Sequence, residues 1–300
     1  MARALERRPV ISYGLVATLL LPPPGERRGP AVVVLGGARG GLDEHGAGAL
    51  AEAGFVALAL AYFGAESLPG ALVEIPLEYV GRAIAWLRAQ PEVGGRRVGL
   101  VGRSKGGELA LQAAATYREH ISAVVGYTPS PVVWQGLPAD RRGWREPPRS
   151  SWTLDGSPLP FLALAKPRSG DLPRIVLSML AGKLAFRPAF ERALDADEAR
   201  EHATIPLERI AGPVLLISGS DDQMWPATAL CELAMARLGR REHPSADRHL
   251  TYDGAGHLLG LPGSRTPDIG RFAVGGSPAA DAHASDHAWP HVQDFLTHNA

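Results

Sequence analysis

The chain has 300 residues, 45% of them hydrophobic, and its 31 basic side chains balance its 31 acidic ones. This length suffices for one large α/β domain. Zero net charge and a pI near 7.2 argue against nucleic acid or an acidic membrane surface as the main partner. The single cysteine, Cys231, falls in a predicted helix. We therefore expect a buried, unreactive thiol and a reducing compartment, the cytoplasm.

The N-terminal segment contains the one stretch that resembles a targeting signal. Arg3, Arg7 and Arg8 precede an apolar run over 10–21, which is the order of a signal peptide. Polar residues interrupt the run, no small-x-small cleavage site follows, and three prolines end it. We interpret the stretch as two β-strand pieces, with a signal peptide as the alternative. No apolar run approaches the roughly 20 residues that span a bilayer.

Apolar runs alternate with helical patterns along most of the chain. Strands are predicted over 16–21, 31–35, 55–60, 98–101, 121–127, 213–218 and near 249–252. Helices are predicted over 43–53, from Pro76 to Pro91, over 108–114, over 227–238 and at the C-terminus. Continuous apolar strands are typical of a sheet buried on both faces. The alternation predicts a mostly parallel central sheet with helices on both faces.

The regular alternation fails over residues 130–205. Prolines, tryptophans 134, 144 and 152 and arginines 141, 142, 145 and 149 crowd this stretch, with a shorter helical piece near 174–184. A long irregular insertion in a compact domain is usually a lid or a binding loop. We expect one domain over 1–300, with 130–205 as a lid whose tryptophans line the substrate pocket.

The sequence Gly-Arg-Ser-Lys-Gly-Gly over 102–107 carries the most chemistry. It follows an apolar strand and leads into a helix, which is the context of a nucleophile elbow. A turn this tight holds Ser104 in a strained conformation, and only glycine fits beside it. The amide of Lys105, in the first turn of the helix, then faces a developing oxyanion. A glycine-rich turn that happens to contain serine is the alternative.

A second glycine-rich loop, 36–41, follows the strand over 31–35. It lacks the Lys-Ser/Thr end of a P-loop and misses the Gly-x-Gly-x-x-Gly spacing, which disfavours nucleotide binding. In a hydrolase the loop after this strand supplies the second oxyanion amide. We assign that amide to Gly37, with Ala38 as the next choice.

An acid and a base are predicted on the loops after two late strands. Asp222 follows the strand over 213–218 and is favoured over Asp221 by the spacing Gly-x-x-Asp, while His257 follows the strand near 249–252. One loop histidine among ten is weak evidence alone, but the order Ser104, Asp222, His257 is the α/β-hydrolase order. No His-x-x-x-His or Cys pair lies near these loops, so we expect no metal and no cofactor.

Several collinear stretches together resemble one family. They are ALALAYF (57–63), LEY (77–79), GRSKGGE (102–108), IPLER (205–209), GSDDQMW (219–225), GH (256–257) and GGSP (275–278). They resemble the acyl-CoA thioesterase / bile acid-CoA:amino acid N-acyltransferase C-terminal domain family over about residues 30–298. The resemblance implies a dienelactone hydrolase-like α/β-hydrolase fold, Asp222 as the acid of the triad, and acyl-thioester chemistry on coenzyme A substrates.

The sequence departs from the family pattern in two ways. Eukaryotic members carry an N-terminal β-sandwich, whereas about thirty residues precede the predicted hydrolase core here. Members that conjugate amino acids have a cysteine nucleophile, and the serine at 104 favours water over an amine as the acyl acceptor.

The predicted function is a serine hydrolase that converts acyl-CoA to free acid and CoA. The alternatives are a carboxylesterase or dienelactone hydrolase-like enzyme on small esters, and a hydrolase-fold binding protein without turnover. The partner is a small acyl thioester or ester, with no nucleic acid and no membrane, and the sequence leaves the oligomeric state open. The four arginines of 141–149 either contact CoA phosphates or are simply solvated.

Overall fold

The computed structural model describes residues 5–23, 25–27, 29–166, 170, 183–240, 243, 246–262 and 272–299. The strands are β1 (Glu6–Val10), β2 (Val16–Leu21), β3 (Ala31–Leu35), β4 (Val56–Ala61), β5 (Ile75–Pro76), β6 (Val98–Arg103), β7 (Ile121–Tyr127), β8 (Trp152–Leu154), β9 (Ser157–Pro158), β10 (Val214–Gly219) and β11 (Arg248–Tyr252). The α-helices are α1 (Glu44–Glu52), α2 (Leu77–Arg88), α3 (Lys105–Thr116), α4 (Arg187–Leu194), α5 (Asp197–Ala203), α6 (Ala227–Arg240) and α7 (Pro278–His298).

Eight strands form one central sheet in the order β1-β2-β4-β3-β6-β7-β10-β11. The pairs from β4 to β11 are all parallel, whereas β1 and β2 add antiparallel pairs at one edge. The predicted mostly parallel sheet is therefore confirmed. The loops after β3, β6, β10 and β11 leave the carboxyl ends of parallel strands, so they meet at one edge of the sheet, where ligands bind in such folds.

Alternate strand residues face two hydrophobic layers. Val33, Leu58 and Leu100 pack with α2, α3 and α6 on one face, whereas Val32 and Val34 pack with α1 and α7 on the other. This is the period-two alternation of a sheet covered on both faces. The predicted apolar stripe of α2 is buried, as are Val292, Phe295 and Leu296 on α7.

The insertion over 130–205 contains more regular structure than the sequence predicts. Strand β8 pairs with β5 on one side and with β9 on the other in a small second sheet, and α4 and α5 precede β10. Most of the helical piece predicted near 174–184 lies outside the described residues. Trp134 and Leu162 of the insertion belong to a third apolar cluster, together with Trp225 after β10.

Cys231 is fully buried on α6, and burial raises the pKa of its thiol. The predicted unreactive thiol is consistent with this position, because a buried thiol is seldom a thiolate. No helix within the described ranges is long and apolar enough to cross a membrane.

Candidate active site

Ser104 lies between β6 and α3 in a strained conformation. Its φ is +55° and its ψ is −121°, a region that L-residues rarely adopt. Two backbone hydrogen bonds hold the turn: the Ser104 amide donates to the Tyr127 carbonyl over 2.9 Å, and the Ser104 carbonyl accepts from the Glu108 amide over 3.0 Å. The predicted strand–Ser–helix turn is therefore present.

The glycines around Ser104 are required by close backbone approach. A Cβ on Gly102 would overlap the Gly106 carbonyl, and a Cβ on Gly106 would overlap the carbonyls of Leu35 and Gly36. A side chain at 102 would push the first turn of α3 away from β6, and a side chain at 106 would push it away from the end of β3. The pattern Gly-x-Ser-x-Gly thus follows from the packing of α3 against the two strands beside it.

The structure brings the three predicted site residues, Ser104, His257 and Asp222, together. The Nε2 atom of His257 lies 2.9 Å from the Ser104 Oγ, and its Nδ1 atom lies 2.7 Å from the Asp222 Oδ2. His257 is 7% exposed and Asp222 is fully buried. A serine hydroxyl, an imidazole and a buried carboxylate in this order are the arrangement used to activate serine for nucleophilic attack.

The neighbouring acids, Asp221 and Asp222, face different partners. The Oδ1 atom of Asp222 accepts the amides of Met224 and Trp225 at 2.8 and 3.2 Å, which leaves Oδ2 for His257. Asp221 instead accepts from the Gln223 side chain and from the Gly276 amide. The two backbone donors fix the orientation of the Asp222 carboxylate.

The loop after β3 lies directly beside the elbow. A Cβ placed on Gly37 would be 3.3 Å from the Arg103 carbonyl and 3.5 Å from the Ser104 Cβ. The loop is held in place by the Tyr62 hydroxyl, which donates to the Gly36 carbonyl over 2.6 Å. Gly37 and Ala38 both line a cavity that contains Ser104, so the choice between their amides as the second oxyanion donor stays a prediction.

A buried ion pair, which the sequence analysis did not single out, lies at the start of α3. The Lys105 ammonium contacts both Glu108 oxygens at 2.7 Å and donates to the Ser151 Oγ over 2.7 Å. The Glu108 Oε1 also accepts the Trp134 amide and the Trp152 indole N–H, at 3.2 and 2.8 Å. Residues of the insertion are thus hydrogen-bonded to the helix that follows the nucleophile.

Burial dominates the titration of this pair. It lowers the pKa of Lys105 and raises the pKa of Glu108, and the attraction between the two charges opposes both shifts. Lys105 is 4% exposed and Glu108 is fully buried. Either charge alone would be strongly disfavoured in this environment, so the two residues act as a unit.

An apolar cavity of about 300 Å³ contains Ser104 and His257. Aromatic rings from the insertion form part of its wall: Trp134 and Trp144 before α4, and Phe190 on α4. The rings of Trp134, Phe190 and Trp225 make successive edge-on contacts, with centroids 4.6 and 5.7 Å apart. Trp225 in turn contacts the His257 ring edge-on at 5.6 Å.

Two expectations about the insertion need correction. Trp152 does not line this cavity, because it is buried against Tyr62 and Lys105 on the far side of the ion pair. Arg149 is not a free cation, because its guanidinium forms an ion pair with Glu74. Arg145 remains exposed and lines a neighbouring groove of about 870 Å³ that shares Trp144 and Leu164 with the cavity.

Solved structures with the same architecture include dienelactone hydrolases. The dienelactone hydrolase of Anabaena variabilis gives a TM-score of 0.54 at 18% identity and covers 99% of each chain. A dienelactone hydrolase-like promiscuous phosphotriesterase from metagenomic libraries gives 0.56 at 20% identity, also over 99% of each chain. The sheet order and these neighbours define the chain as an α/β hydrolase, as the sequence predicts.

The profile of the family described as "BAAT / Acyl-CoA thioester hydrolase C terminal" matches residues 75–300. The chain belongs to this family, which confirms the resemblance. Acyl-coenzyme A thioesterase 6 of Mus musculus is 30% identical over 99% of the chain and 66% of its own length. Acyl-coenzyme A amino acid N-acyltransferase 1 of Mus musculus is 31% identical over 97% and 64%. The chain thus spans just under two thirds of the length of these relatives.

Proposed function

We propose that this chain is a serine hydrolase that cleaves acyl-CoA thioesters to free acid and CoA through an acyl-enzyme. The observation that carries the proposal is the continuous hydrogen-bonded path from Asp222 through His257 to Ser104. Membership in a family that includes named acyl-CoA thioesterases supports the choice of thioester as substrate.

In the proposed reaction the Ser104 Oγ attacks the thioester carbonyl carbon while the His257 Nε2 accepts its proton. Collapse of the tetrahedral intermediate breaks the C–S bond, and the imidazolium returns the proton to the departing thiolate. Water, deprotonated by the same nitrogen, then attacks the acyl-enzyme carbonyl carbon. The C–O bond to Ser104 breaks, the imidazolium returns the proton to the Ser104 Oγ, and the acid is released. Asp222 holds the imidazole in the required tautomer and stabilises the imidazolium.

Two backbone amides are proposed to bind the oxyanion. The Lys105 amide is at the first turn of α3, where helix N–H groups have no partner within the helix. The second proposed donor is the Gly37 amide, with Ala38 as the alternative, on the loop after β3. Each donor is expected to stabilise the transition state by roughly 3 kcal/mol.

We further propose that the chain acts as one domain in which residues 130–205 form a substrate-binding lid. The proposal of a lid is supported by the contacts between the insertion and the candidate active site. Trp134 lines the cavity beside Ser104 and is bonded to Glu108 on α3. In this arrangement the apolar cavity takes the acyl chain, since its walls are aromatic and aliphatic.

The test is a panel of acyl-CoAs, assayed by thiol release, beside p-nitrophenyl esters of matched chain length. We expect kcat/KM to be higher for the acyl-CoAs. Cleavage of the esters alone would favour the carboxylesterase alternative. Turnover of neither series by a folded protein would favour a binding protein without catalysis.

A further inference from the structure

A cleft of about 700 Å³ lies next to the elbow, at the carboxyl ends of β3, β6 and β7. It shares Gly37, Arg39 and Arg103 with a cavity of about 360 Å³ that contains Ser104 and His257. The cleft is therefore continuous with the surroundings of the nucleophile. None of the aromatic residues of the insertion lines it.

A buried hydroxyl without a partner lines this cleft. Tyr127 is 2% exposed, and its hydroxyl has no hydrogen-bond partner among the residues that the structure describes. Its backbone carbonyl accepts from the Ser104 amide, which places Tyr127 at the end of the strand beside the nucleophile. Buried hydroxyls are normally paired, so this unpaired hydroxyl on a residue of the cleft wall marks a place where the described residues leave a polar partner to be supplied.

Two guanidinium groups add further donors. Arg103 is half-buried and Arg39 is exposed, and in the described part of the chain neither side chain has a hydrogen bond or a carboxylate partner. Asp43 also lines the cleft, but its Oδ1 already accepts the Gly46 amide at the start of α1. The cleft is thus rich in unused donors, which suit a ligand with carbonyl and phosphate oxygens.

We propose that this cleft binds the CoA leaving group of the acyl thioester, above all its amide-bearing pantetheine arm. This inference rests on the function proposed above. Pantetheine offers amide carbonyls along a thin chain, and the phosphates of CoA lie at its far end from sulfur. The Tyr127 hydroxyl and Arg103, next to the elbow, bind the arm. The exposed Arg39 at the rim meets the phosphates.

The groove that contains Arg145 is the competing route for the leaving group. It adjoins the aromatic cavity but contains neither Ser104 nor His257. A leaving group bound there would have to cross the cavity that the acyl chain occupies. Arg149 in that groove already has a carboxylate partner, Glu74. The cleft beside Tyr127 is free of both objections.

The experiment compares three thioesters with the same acyl group: those of ethanethiol, which has no amide, of pantetheine and of CoA. Tyr127→Phe removes one hydroxyl and should raise KM for the pantetheine and CoA thioesters, relative to the ethanethiol thioester, by roughly two- to tenfold. Arg39→Ala should raise KM for the CoA thioester alone, and added salt should reduce the difference from wild type. Arg145→Ala is the matched control and should leave these ratios unchanged.

Equal effects of Tyr127→Phe on all three thioesters would overturn the proposal, because the residue would then act on the elbow itself. No effect would assign the hydroxyl to a buried water, and a KM increase confined to Arg145→Ala would move the leaving group to the competing groove. Binding of free CoA to Ser104→Ala, measured by calorimetry with and without Tyr127→Phe, tests the cleft without turnover. The cleft therefore remains testable if no thioester is hydrolysed.

Discussion

Ser104 combines a strained backbone conformation with a side chain within hydrogen-bond distance of His257. Its positive φ has a cost of order 1–3 kcal/mol, which the surrounding packing has to offset. The strained turn aims the side chain at His257, with 2.9 Å between Oγ and Nε2. Such outliers cluster at functional sites because the geometry has a use there.

The two neighbouring aspartates give a sharp test at this scale. Asp222→Asn should lower kcat by about 10⁴-fold, because an amide at this position favours the wrong tautomer of His257. Asp221→Asn should have a mild effect, since its carboxylate binds Gln223 and the Gly276 amide rather than the imidazole. Steady-state kinetics with circular dichroism checks both variants. The reverse ranking would contradict the assignment of the acid.

The proposed nucleophile, acid and base could be predicted from the sequence because each follows a recognisable strand. Parallel strands bring their carboxyl ends together, so loops distant in sequence become neighbours. The sequence analysis did not single out Glu108 or Tyr127, and the cause is physical. The partners of Glu108, Trp134 and Trp152, come from a segment without periodicity, and a missing partner for the Tyr127 hydroxyl is visible only in three dimensions.

Helix α3 connects the elbow to the insertion through the buried Lys105–Glu108 pair. The amide of Lys105 is the proposed oxyanion donor, and its side chain is held by Glu108 and Ser151. A displacement of the insertion would therefore shift the first turn of α3. The pair links the position of Trp134 in the cavity wall to the position of the amide.

Glu108→Leu should lower the free energy of unfolding by about 3–5 kcal/mol, because it leaves the Lys105 ammonium buried without its counter-charge. The double variant Lys105→Met/Glu108→Leu should recover part of that loss. Recovery should be incomplete, since Trp134 and Trp152 each lose an acceptor at a cost of about 1–3 kcal/mol. Urea denaturation measures all three proteins. A double variant no more stable than Glu108→Leu would show that the unpaired charge is not the cause.

A histidine on the edge strand β11, His249, should make the stability of the fold depend on pH. Burial lowers the pKa of His249 from its ordinary value of 6.5, and its Nε2 lies 2.8 Å from the Ser218 Oγ. The folded protein therefore favours the neutral imidazole. The contribution of His249 to the free energy of unfolding is complete above the pKa that this histidine has in the unfolded chain. It is lost as the pH falls below that pKa, because the unfolded chain binds the proton more readily.

Thermal unfolding between about pH 7.5 and about pH 5.5 tests this expectation. The Tm of wild type should fall on acidification, and His249→Asn should show a smaller fall. The exposed His202 supplies the control, since His202→Asn should keep the wild-type slope. An unchanged slope in His249→Asn would rule out this histidine as the source.

For the molecule as a whole, the regular α/β layers were predictable and the insertion was not. Apolar runs and helical stripes depend on local period, and nearly every predicted strand and helix is present. The insertion has no such period, so α4, α5 and the small sheet of β5, β8 and β9 escaped prediction. The shape of the proposed substrate cavity depends on this segment, so the sequence predicts a class of reaction but not the length of the acyl chain.

Phe190 tests the proposed acyl cavity. Its ring lies between Trp134 and Trp225, so Phe190→Leu should widen the cavity. We expect kcat/KM across p-nitrophenyl esters of increasing chain length to shift toward longer chains. Phe161→Leu changes the same residue type outside the cavity and should leave the profile unchanged. Identical profiles for wild type and Phe190→Leu would exclude this cavity as the acyl site.

The most direct test of the central claim is rapid-quench mass spectrometry of the protein mixed with an acyl-CoA. The account predicts that the peptide containing Ser104 gains the mass of the acyl group within one turnover, while one equivalent of CoA thiol is released. Ser104→Ala should show neither the adduct nor thiol release. Thiol release without an acylated Ser104 peptide, or an adduct that persists in Ser104→Ala, would contradict the proposed mechanism.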